Sequence, residues 1–420
     1  MASQARAETV AGLDEEQAGE LRYVARQPIL NLHGDSYGYE LLFWNGHAPI
    51  ISTIGELATR AMLDNTVVFG LHELARGLPA FVNCTADSLT EDWVDILPPH
   101  MTVLELPSGT EPTPSLLAAC RKLKSSGFRL ALADFTGNPE SRPLAELADY
   151  IKVDVLKVNA EERGNLLRWL SGSTARLVAQ NVETQEQYGQ ACKEGFDLFQ
   201  GYYFCRPEPL ENHKIPGNRL VHLEILEDLQ NDPVDLRRLS QLVMCDASLT
   251  YRLLRLVNSP ICAMRQEVTS IQMALMLVGE STFRRIAMLA IASDFSTDQP
   301  AEILRMTYER GRFCELAAPL CGLAASEQYL IGMISLFPAM LRILMEDLVR
   351  LMPLRETARD ALLGRETPEG MLLHWIVCHE HGNWAECDAV VRSSGMSHEQ
   401  VMLCHEQAVQ WAEAALRSNT

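Results

Sequence analysis

The stretch Arg129-Leu-Ala-Leu-Ala-Asp-Phe-Thr-Gly137 decides the fold of the first half of this chain. An apolar run with the length of a β-strand ends at an acid, Asp134, and a turn of small residues follows. A buried parallel strand has this pattern when it carries a carboxylate to the mouth of a β/α barrel. The stretch therefore predicts a barrel strand with a polar group at its carboxyl end.

Four other stretches share this pattern, and residues with helical spacing separate them. They span residues 81–84, 102–106, 150–155 and 176–183, and a last barrel strand is predicted over 198–204. Two earlier strand-like runs, 21–30 and 37–43, flank a polar turn and predict a hairpin that enters the barrel. The alternation of strand and helix predicts a modified TIM-type β/α barrel.

The second half of the chain has a different pattern. From about residue 220 onward, apolar residues recur at helical spacing, and strand-like alternation is almost absent. Among the expected helices are single ones over 301–321, 326–351 and 398–417. We therefore predict an α/β plus all-α protein with three segments: a flexible leader (1–19), the barrel (20–210) and an all-helical domain (211–420).

The composition excludes several classes of function. The formal net charge of −19 over 420 residues disfavours a general nucleic-acid binder, because few cations would displace counterions. The eleven cysteines form no CxxC pair, as expected for reduced thiols in the cytoplasm. The N-terminus has no apolar signal segment, and the longest uncharged apolar run, 329–341, is too short to span a membrane. A cytoplasmic protein with no membrane or nucleic-acid partner is predicted.

Motifs in the first half resemble those of the EAL family, cyclic di-GMP phosphodiesterases with a modified β/α barrel. The matching stretches follow the family's order: Gln27-Pro-Ile29, Gly38-Tyr-Glu-Leu-Leu42, Val82-Asn-Cys84, Leu104-Glu105, Ala133-Asp-Phe135, Lys152-Val-Asp154, Gln180-Asn-Val-Glu-Thr184 and Gln200-Gly-Tyr-Tyr-Phe204. Any one of these motifs alone is a weak signal, whereas the ordered set is a strong one.

The resemblance also implies the members of a catalytic site. The family's enzymes hydrolyse a phosphodiester with two divalent cations, Mg²⁺ or Mn²⁺, which oxygen ligands hold. The positions that match metal ligands are Glu40, Asn83, Glu105, Asp134 and Asp154. Lys152 matches a lysine that contacts the attacking water, and Glu183 lies in a second catalytic motif. Gln27 and Gln200 lie in motifs that imply substrate binding.

Three positions depart from the family's pattern. Ala133 replaces an aspartate that bridges both metals, Gln180 replaces a glutamate, and Trp44 replaces an arginine that grips a phosphate of the dinucleotide. The loop 136–142 also differs from the family loop that positions the second metal. These departures predict a degenerate site without a cofactor, without catalysis and without tight binding of cyclic di-GMP.

The surviving polar residues have two interpretations. In the first, Glu40, Asn83, Glu105 and Asp134 form a hydrogen-bonded network with Lys152 and need no metal. In the second, the same oxygen ligands hold a single, weakly bound Mg²⁺ or Mn²⁺. The first interpretation is preferred.

The second half resembles the HDOD domain, a relative of the HD phosphohydrolases without their metal-binding His-Asp pair. The resemblance lies in Asp246-Ala-Ser-Leu249 and in residues 253–259 and 274–279, and the chain contains no His-Asp dipeptide. His374, Cys378 and His381 share one helix face and form either a zinc set or an ordinary half-buried helix end. Asn258 is expected to brace backbone groups where Pro260 ends a helix.

Taken together, these features predict a bacterial signal-transduction regulator or scaffold that acts through protein–protein contacts. Its expected partners are other signalling proteins, and it could also pair with a second copy of itself as a homodimer. The alternative is a weakly active cyclic di-GMP phosphodiesterase or a receptor for that dinucleotide. A nucleic-acid-binding regulator is a third class, which the charge disfavours.

Overall fold

The computed structural model describes residues 23–44, 70–205, 217–229, 236–259, 262, 268–296, 299–352 and 354–419. Two predictions lie outside these residues: the leader 1–19 and the boundary between residues 210 and 211.

Eight strands form a closed barrel in chain order. They are β1 (Tyr23–Asn31), β2 (Ser36–Trp44), β3 (Ala80–Asn83), β4 (Thr102–Pro107), β5 (Arg129–Ala133), β6 (Tyr150–Asp154), β7 (Arg176–Gln180) and β8 (Leu198–Gln200). β1 runs antiparallel to both of its neighbours, β2 and β8, and the remaining neighbours are parallel. The predicted modified barrel and its entry hairpin are confirmed. The last strand is shorter than predicted, since a 3-10 helix, Tyr203–Cys205, occupies the end of the expected run 198–204.

Helices follow the parallel strands and cover the outside of the barrel. They are α1 (Leu71–Leu74), α2 (Ala86–Thr90), α3 (Pro114–Ser125), α4 (Arg142–Ala145), α5 (Ala160–Trp169) and α6 (Gln185–Glu194). Side-chain capping boxes at Thr85, Asn159 and Thr184 begin α2, α5 and α6, because each side chain accepts an otherwise unpaired backbone N–H. The strand ends therefore meet at one rim, where the helices begin.

The second half is entirely helical among the residues that the structure describes, as predicted. Its helices are α7 (Gly217–Asp228), α8 (Leu236–Met244), α9 (Ala247–Val257), α10 (Ile271–Val278), α11 (Glu280–Phe295), α12 (Ala301–Ala317), α13 (Ala325–Ile334), α14 (Phe337–Leu341), α15 (Met345–Leu351), α16 (Glu356–Leu362), α17 (Met371–Glu380), α18 (Trp384–Ser394) and α19 (His398–Asn419).

Two helix predictions in this half are wrong in length. The expected single helix over 326–351 is broken into α13, α14 and α15. Pro338 stands at the start of α14, where a missing N–H is tolerated, and Arg342 ends that helix in the left-handed conformation (φ 55°). The helix expected over 301–321 ends at Ala317 and continues as the 3-10 helix Ala318–Cys321. The apolar residues of α13 and α14 are buried, so this part of the expected helix belongs to the core.

No single helix among the described residues is both long and apolar enough to cross a membrane. One pair, Ala325–Leu341 with Met345–Leu351, satisfies that criterion jointly on length and composition, but the two parts are bent by 114°.

The two halves share a continuous apolar core. One cluster of buried side chains includes Leu30 and Leu41 of the hairpin together with Ile303 and Met306 of α12. A separate cluster fills the lower interior of the barrel, with Phe81 and Tyr150 in edge-to-face contact at 5.1 Å between ring centroids. This apolar layer forms the floor below the polar residues at the carboxyl ends of the strands.

Candidate functional site

A buried lysine links two carboxylates inside the barrel, above the apolar floor. Lys152 Nζ donates to Glu40 Oε2 (2.7 Å) and to both carboxylate oxygens of Glu105 (2.7 and 2.8 Å). The side chains of Lys152 and Glu105 are 0% and 1% exposed. The ammonium lies 5.7 Å from the centroid of the Phe81 ring. Strand alternation explains the arrangement, since each of these residues points inward from a different barrel strand.

Three amide side chains complete this group, which we call the Lys152 network. Asn83 Nδ2 donates to Glu40 Oε1 (2.9 Å), and Gln200 Nε2 donates to Glu40 Oε2 (2.6 Å). Gln200 Nε2 also donates to Gln27 Oε1 (2.7 Å). The buried Oε1 of Gln200 has no hydrogen-bond partner among the described residues. The structure thus brings together Gln27, Glu40, Asn83, Glu105, Lys152 and Gln200.

Electrostatics assigns different charge states to the two glutamates. Burial opposes ionisation of Glu40, but the charge and hydrogen bond of Lys152 keep the pKa of Glu40 below its usual value. Burial, together with the negative charge of Glu40, raises the pKa of Glu105 to about 7, although Lys152 acts in the opposite direction. Burial disfavours the ammonium of Lys152, yet the charges of Glu105 and Glu40 raise the pKa of Lys152. Near neutral pH, the network therefore holds one ammonium, one full carboxylate and one carboxyl group close to its midpoint of titration.

Asp134 lies outside the Lys152 network, contrary to the expected four-residue set. Its backbone adopts a left-handed conformation (φ 50°), and its carboxylate accepts a hydrogen bond from exposed Lys157 (Nζ–Oδ1 3.0 Å). The turn directs this side chain away from Lys152, so only two of the three expected acids surround the ammonium. The motifs do not single out Lys157.

Asp154 is buried, and its carboxylate already has several donors. Asn181 Nδ2 donates to Oδ2 (2.9 Å), and the backbone N–H groups of Leu156 and Lys157 donate to Oδ1 (2.9 and 3.2 Å). The Lys157 ammonium lies 3.3 Å from Oδ2. Asn181 was not singled out from the sequence, and its left-handed backbone (φ 57°) lets the side chain reach Asp154.

The departures from the EAL motifs lie at the mouth of the barrel. Ala133 ends β5 with a methyl group, and Gln180 ends β7. Gln180 Oε1 accepts the backbone N–H of Asp134 (3.4 Å). Glu183 is half-buried, and its backbone N–H donates to Gln187 Oε1 (2.7 Å). Trp44 ends β2, and its side chain lies outside the described part of the structure.

Several of the residues that match metal ligands already contact other groups, and one position lacks a ligand atom. Ala133 offers no ligand atom, Asp134 contacts Lys157, and the carboxylate of Asp154 is occupied by four donors. Glu40 and Glu105 share an ammonium that already supplies the compensating charge. No group of three or more His, Cys, Asp or Glu side chains within the described residues is arranged to hold a metal ion. A cation at Glu40 and Glu105 would have to compete with Lys152.

The histidine–cysteine set of the helical half does not converge. Cys378 Sγ lies 3.6 Å from His374 Nε2, whereas His381 Nδ1 lies 2.7 Å from the carbonyl oxygen of Val377. His381 therefore interacts with its own helix end and not with the other two side chains. The arrangement matches the half-buried helix end that was the second interpretation of the sequence.

A buried histidine in the helical half was missed at the level of sequence. His222 Nε2 lies 3.0 Å from Asp246, and its Nδ1 lies 3.5 Å from Asp294. Asp246 also caps α9 by accepting the N–H of Leu249 (3.0 Å), and Asp294 pairs with Arg252 (2.9 Å). These groups come from separate helices, so no dipeptide motif reveals them.

Asn258 has the bracing role that its position predicted. Its Nδ2 donates to the carbonyl oxygens of Leu254 (2.9 Å) and Val268 (2.8 Å), and its Oδ1 accepts the N–H of Val268 (2.8 Å). The side chain joins the end of α9 to the segment that leads into α10.

Comparison with known proteins agrees with this architecture. Residues 47–207 match the EAL domain, and residues 215–349 match the HDOD domain. The chain is 30% identical over 400 residues to the uncharacterized protein YuxH of Bacillus subtilis, covering 93% of this chain and 97% of that protein. It is also 30% identical over 398 residues to the cyclic di-GMP phosphodiesterase CdgJ of Vibrio cholerae, covering 93% of this chain and 92% of that protein. Among solved structures, a calcium and cyclic di-GMP complex of Klebsiella pneumoniae BlrP1 gives a TM-score of 0.38 at 20% identity, covering 49% of this chain and 64% of that one.

The chain therefore belongs to the family of signalling proteins that join an EAL domain to an HDOD domain. The order of the two domains is the one that the motifs predicted.

Proposed function

We propose that this protein is a non-catalytic regulator of bacterial signal transduction that acts in the cytoplasm through contacts with other signalling proteins. The observation that carries the proposal is Ala133 at the end of β5, where the EAL motif has an aspartate. Lys152 supplies the positive charge to Glu40 and Glu105 that a cation would otherwise supply. With Ala133 at the end of β5, the carboxylate count at the barrel mouth falls below what two divalent cations need.

The helical half supports the protein-contact part of the proposal. Several large apolar side chains of α8, α9 and α10 are exposed: Met244 at 46%, Tyr251 at 67% and Met276 at 78%. The ends of α8 and α10 meet, since Gln272 Nε2 contacts Met244 Sδ (3.4 Å). Apolar groups exposed on neighbouring helices are typical of surfaces that contact other proteins.

The test of the catalytic half of the proposal is a hydrolysis assay. Purified full-length protein is incubated with cyclic di-GMP and either Mg²⁺ or Mn²⁺, and the linear product is quantified. We expect no turnover above a control without protein. Turnover that Glu40→Ala abolishes would contradict the proposal, because it would require the Lys152 network to open and accept cations.

A weakly active phosphodiesterase is the second candidate function. Two observations favour it: a relative at 30% identity is named a cyclic di-GMP phosphodiesterase, and Glu40, Asn83, Glu105 and Lys152 are all present and face one another. Calorimetric titration with cyclic di-GMP separates this candidate from the regulator. Metal-dependent binding that Gln200→Ala weakens supports the second candidate, and the absence of binding supports the first.

A further inference from the structure

The β1–β2 hairpin forms a wall between the Lys152 network and the helical half. Gln27 and Glu40 are direct cross-strand partners in this hairpin. Both point into the barrel, where Gln27 contacts Gln200 and Glu40 contacts Lys152. Successive residues of a strand point to opposite faces. The neighbouring residues Arg26 and Tyr39 therefore point out of the barrel, toward α12.

Helix α12 meets this outer face with charged residues that are almost completely buried. Glu302, Arg305 and Glu309 are 2%, 3% and 6% exposed and lie on one face of the helix. Arg26 Nη2 donates to Glu309 Oε1 (2.9 Å), and the Tyr39 hydroxyl donates to Glu302 Oε2 (3.1 Å). Ser36 Oγ also donates to Glu302 Oε2 (3.3 Å), so the hairpin is joined to α12 at three points by hydrogen bonds to charged groups.

Arg305 holds the two glutamates of α12 in place. Its Nε donates to Glu302 Oε1 (2.7 Å), and its Nη1 pairs with Glu309. Burial opposes ionisation of both glutamates, but the charge of Arg305, with a contribution from Arg26, keeps the pKa of Glu302 and of Glu309 below the usual value. Buried charges of this kind cannot lose a partner without a large energetic penalty. The hairpin must therefore move when this part of α12 moves.

A further contact connects the other wall of the network to the helical half. The Tyr202 hydroxyl donates to the backbone carbonyl of Glu380 at the end of α17. Tyr202 follows Gln200 by two residues, and Gln200 is the amide that links Gln27 to Glu40. The network residues of β1, β2 and β8 are Gln27, Glu40 and Gln200. Each of them therefore lies within two residues, along the chain, of a residue that contacts the helical half.

We propose that the β1–β2 hairpin couples the two domains energetically, with Arg26 and Tyr39 as the coupling residues. A displacement of α12 changes the positions of Arg26 and Tyr39 and so alters the hydrogen bonds of Gln27 and Glu40. By linkage, a change in the Lys152 network alters the stability of α12 to the same extent. This coupling goes beyond the proposed function, because it holds for a hydrolytic and for a non-hydrolytic barrel.

The test is hydrogen–deuterium exchange of the full chain, read by mass spectrometry. Tyr39→Phe removes the hydroxyl that contacts Glu302 and leaves the ring in place. We expect amide exchange to accelerate about fivefold, as the loss of one hydrogen bond allows, in α12, in β2 and in β6, which carries Lys152. Acceleration confined to α12 and β2, with β6 unchanged, would overturn the coupling.

Tyr188→Phe is the matched control. The Tyr188 hydroxyl donates to the carbonyl oxygen of Leu32 in the turn of the same hairpin (3.1 Å) and not to a residue of α12. This control should leave exchange in α12 unchanged. Equal acceleration of amide exchange in α12 for both variants would show that any weakening of the hairpin has the same effect. The specific role proposed for Tyr39 would then be refuted.

The reciprocal experiment starts from the barrel. Gln27→Ala breaks the contact with Gln200, and Gln27 makes no hydrogen bond to the part of the helical half that the structure describes. Linkage predicts faster exchange in residues 301–317 of α12. If amide exchange accelerates in β1 but not in α12, the network and the helix are independent and the proposal fails. The readout does not involve turnover, so the result does not depend on whether the barrel hydrolyses cyclic di-GMP.

Discussion

Lys152 and Glu105 form a two-point contact inside the barrel, with Nζ at 2.7 and 2.8 Å from the two carboxylate oxygens. Both side chains are buried, and Glu40 completes the group on the other side of the ammonium. One positive charge therefore serves two acids. One of the two carboxyl groups therefore lacks a full positive charge beside it. Glu105, whose pKa is raised, is the group whose protonation should respond to pH.

Replacing Glu105 should change how stability depends on pH. The pKa of Glu105 is about 7 in the folded protein, and about 4.3 is expected in the unfolded chain. Between these values the folded protein holds a proton that the unfolded chain has lost, so stability falls as the pH rises. Glu105→Gln removes this contribution, which is at most about 4 kcal/mol. Relative to the wild type, the variant should gain stability between pH 5 and pH 8 in urea unfolding.

Glu161→Gln is the control for this experiment, since Glu161 is exposed on α5. It should follow the wild-type pH profile. Parallel profiles for the wild type and Glu105→Gln would mean that Glu105 titrates at the same pH in the folded and unfolded states.

Loss of the Asn258 brace should destabilise the helical half. Asn258→Ala removes three hydrogen bonds. Two of them join the end of α9 to Val268, and the third is made to Leu254 within α9. We expect a loss of about 1–2 kcal/mol in the free energy of unfolding. Asn258→Asp keeps an acceptor for the Val268 N–H but places a carboxylate oxygen against the carbonyl oxygens of Leu254 and Val268 at the end of α9, so it should destabilise at least as much as Asn258→Ala. An unchanged melting temperature for the alanine variant would be inconsistent with the bracing role.

A close approach of two helix backbones should make Gly332 intolerant of a side chain. A Cβ at Gly332 of α13 would lie 2.5 Å from the carbonyl oxygen of Arg310 and 2.8 Å from Cα of Gly311 in α12. Gly332→Ala should push the helices apart and destabilise the protein by about 1–3 kcal/mol. Gly189→Ala in α6 is the matched control, because its Cβ would meet nothing within 4 Å. The control should be neutral or slightly stabilising in thermal unfolding, since alanine favours a helix. Equal melting temperatures for the two variants would refute the close-packing argument.

The strand ends of the barrel could be predicted because their signal is local. Each parallel strand is an apolar run that stops at a polar residue, and strands of a barrel end at one rim. The resemblance to the EAL family, carried by the order of the motifs, implied that Glu40, Asn83, Glu105 and Lys152 belong to one site. The order of the motifs added Gln27 and Gln200 through the resemblance to the EAL family.

Features that depend on turns or on distant partners could not be predicted in this way. The position of Asp134 is set by one left-handed backbone angle and by Lys157, neither of which periodicity reveals. The break of the expected helix over 326–351 follows from Arg342 in a left-handed conformation, where no glycine marks the stop. The contacts of His222 join separate helices, so sequence spacing carries no information about them.

Restoring the missing carboxylates should restore metal binding more than catalysis. Ala133→Asp together with Gln180→Glu places two acids beside Asp134 at the ends of β5 and β7. Adjacent carboxylates repel unless a cation binds, so divalent-metal affinity should rise. The glutamate introduced at the end of β7 can still accept the N–H of Asp134, as Gln180 does at 3.4 Å. The fold of the rim should therefore persist, and calorimetry with Mn²⁺ measures the gain in affinity.

Hydrolysis by this double variant should stay at or near background. Lys152 still occupies Glu40 and Glu105, Lys157 still holds Asp134, and the loop 136–142 keeps its own sequence. Catalytic groups act as a unit, so partial repair returns little activity. Ala133→Asn is the matched control, because it adds a side chain of the same shape without the charge and should leave Mn²⁺ affinity unchanged. Turnover of cyclic di-GMP by the double variant at about 1 per second or more, a rate typical of enzymes, would contradict this prediction. The barrel would then be an enzyme silenced by two substitutions, and the lysine contacts would yield to cations once the anionic ligands are present.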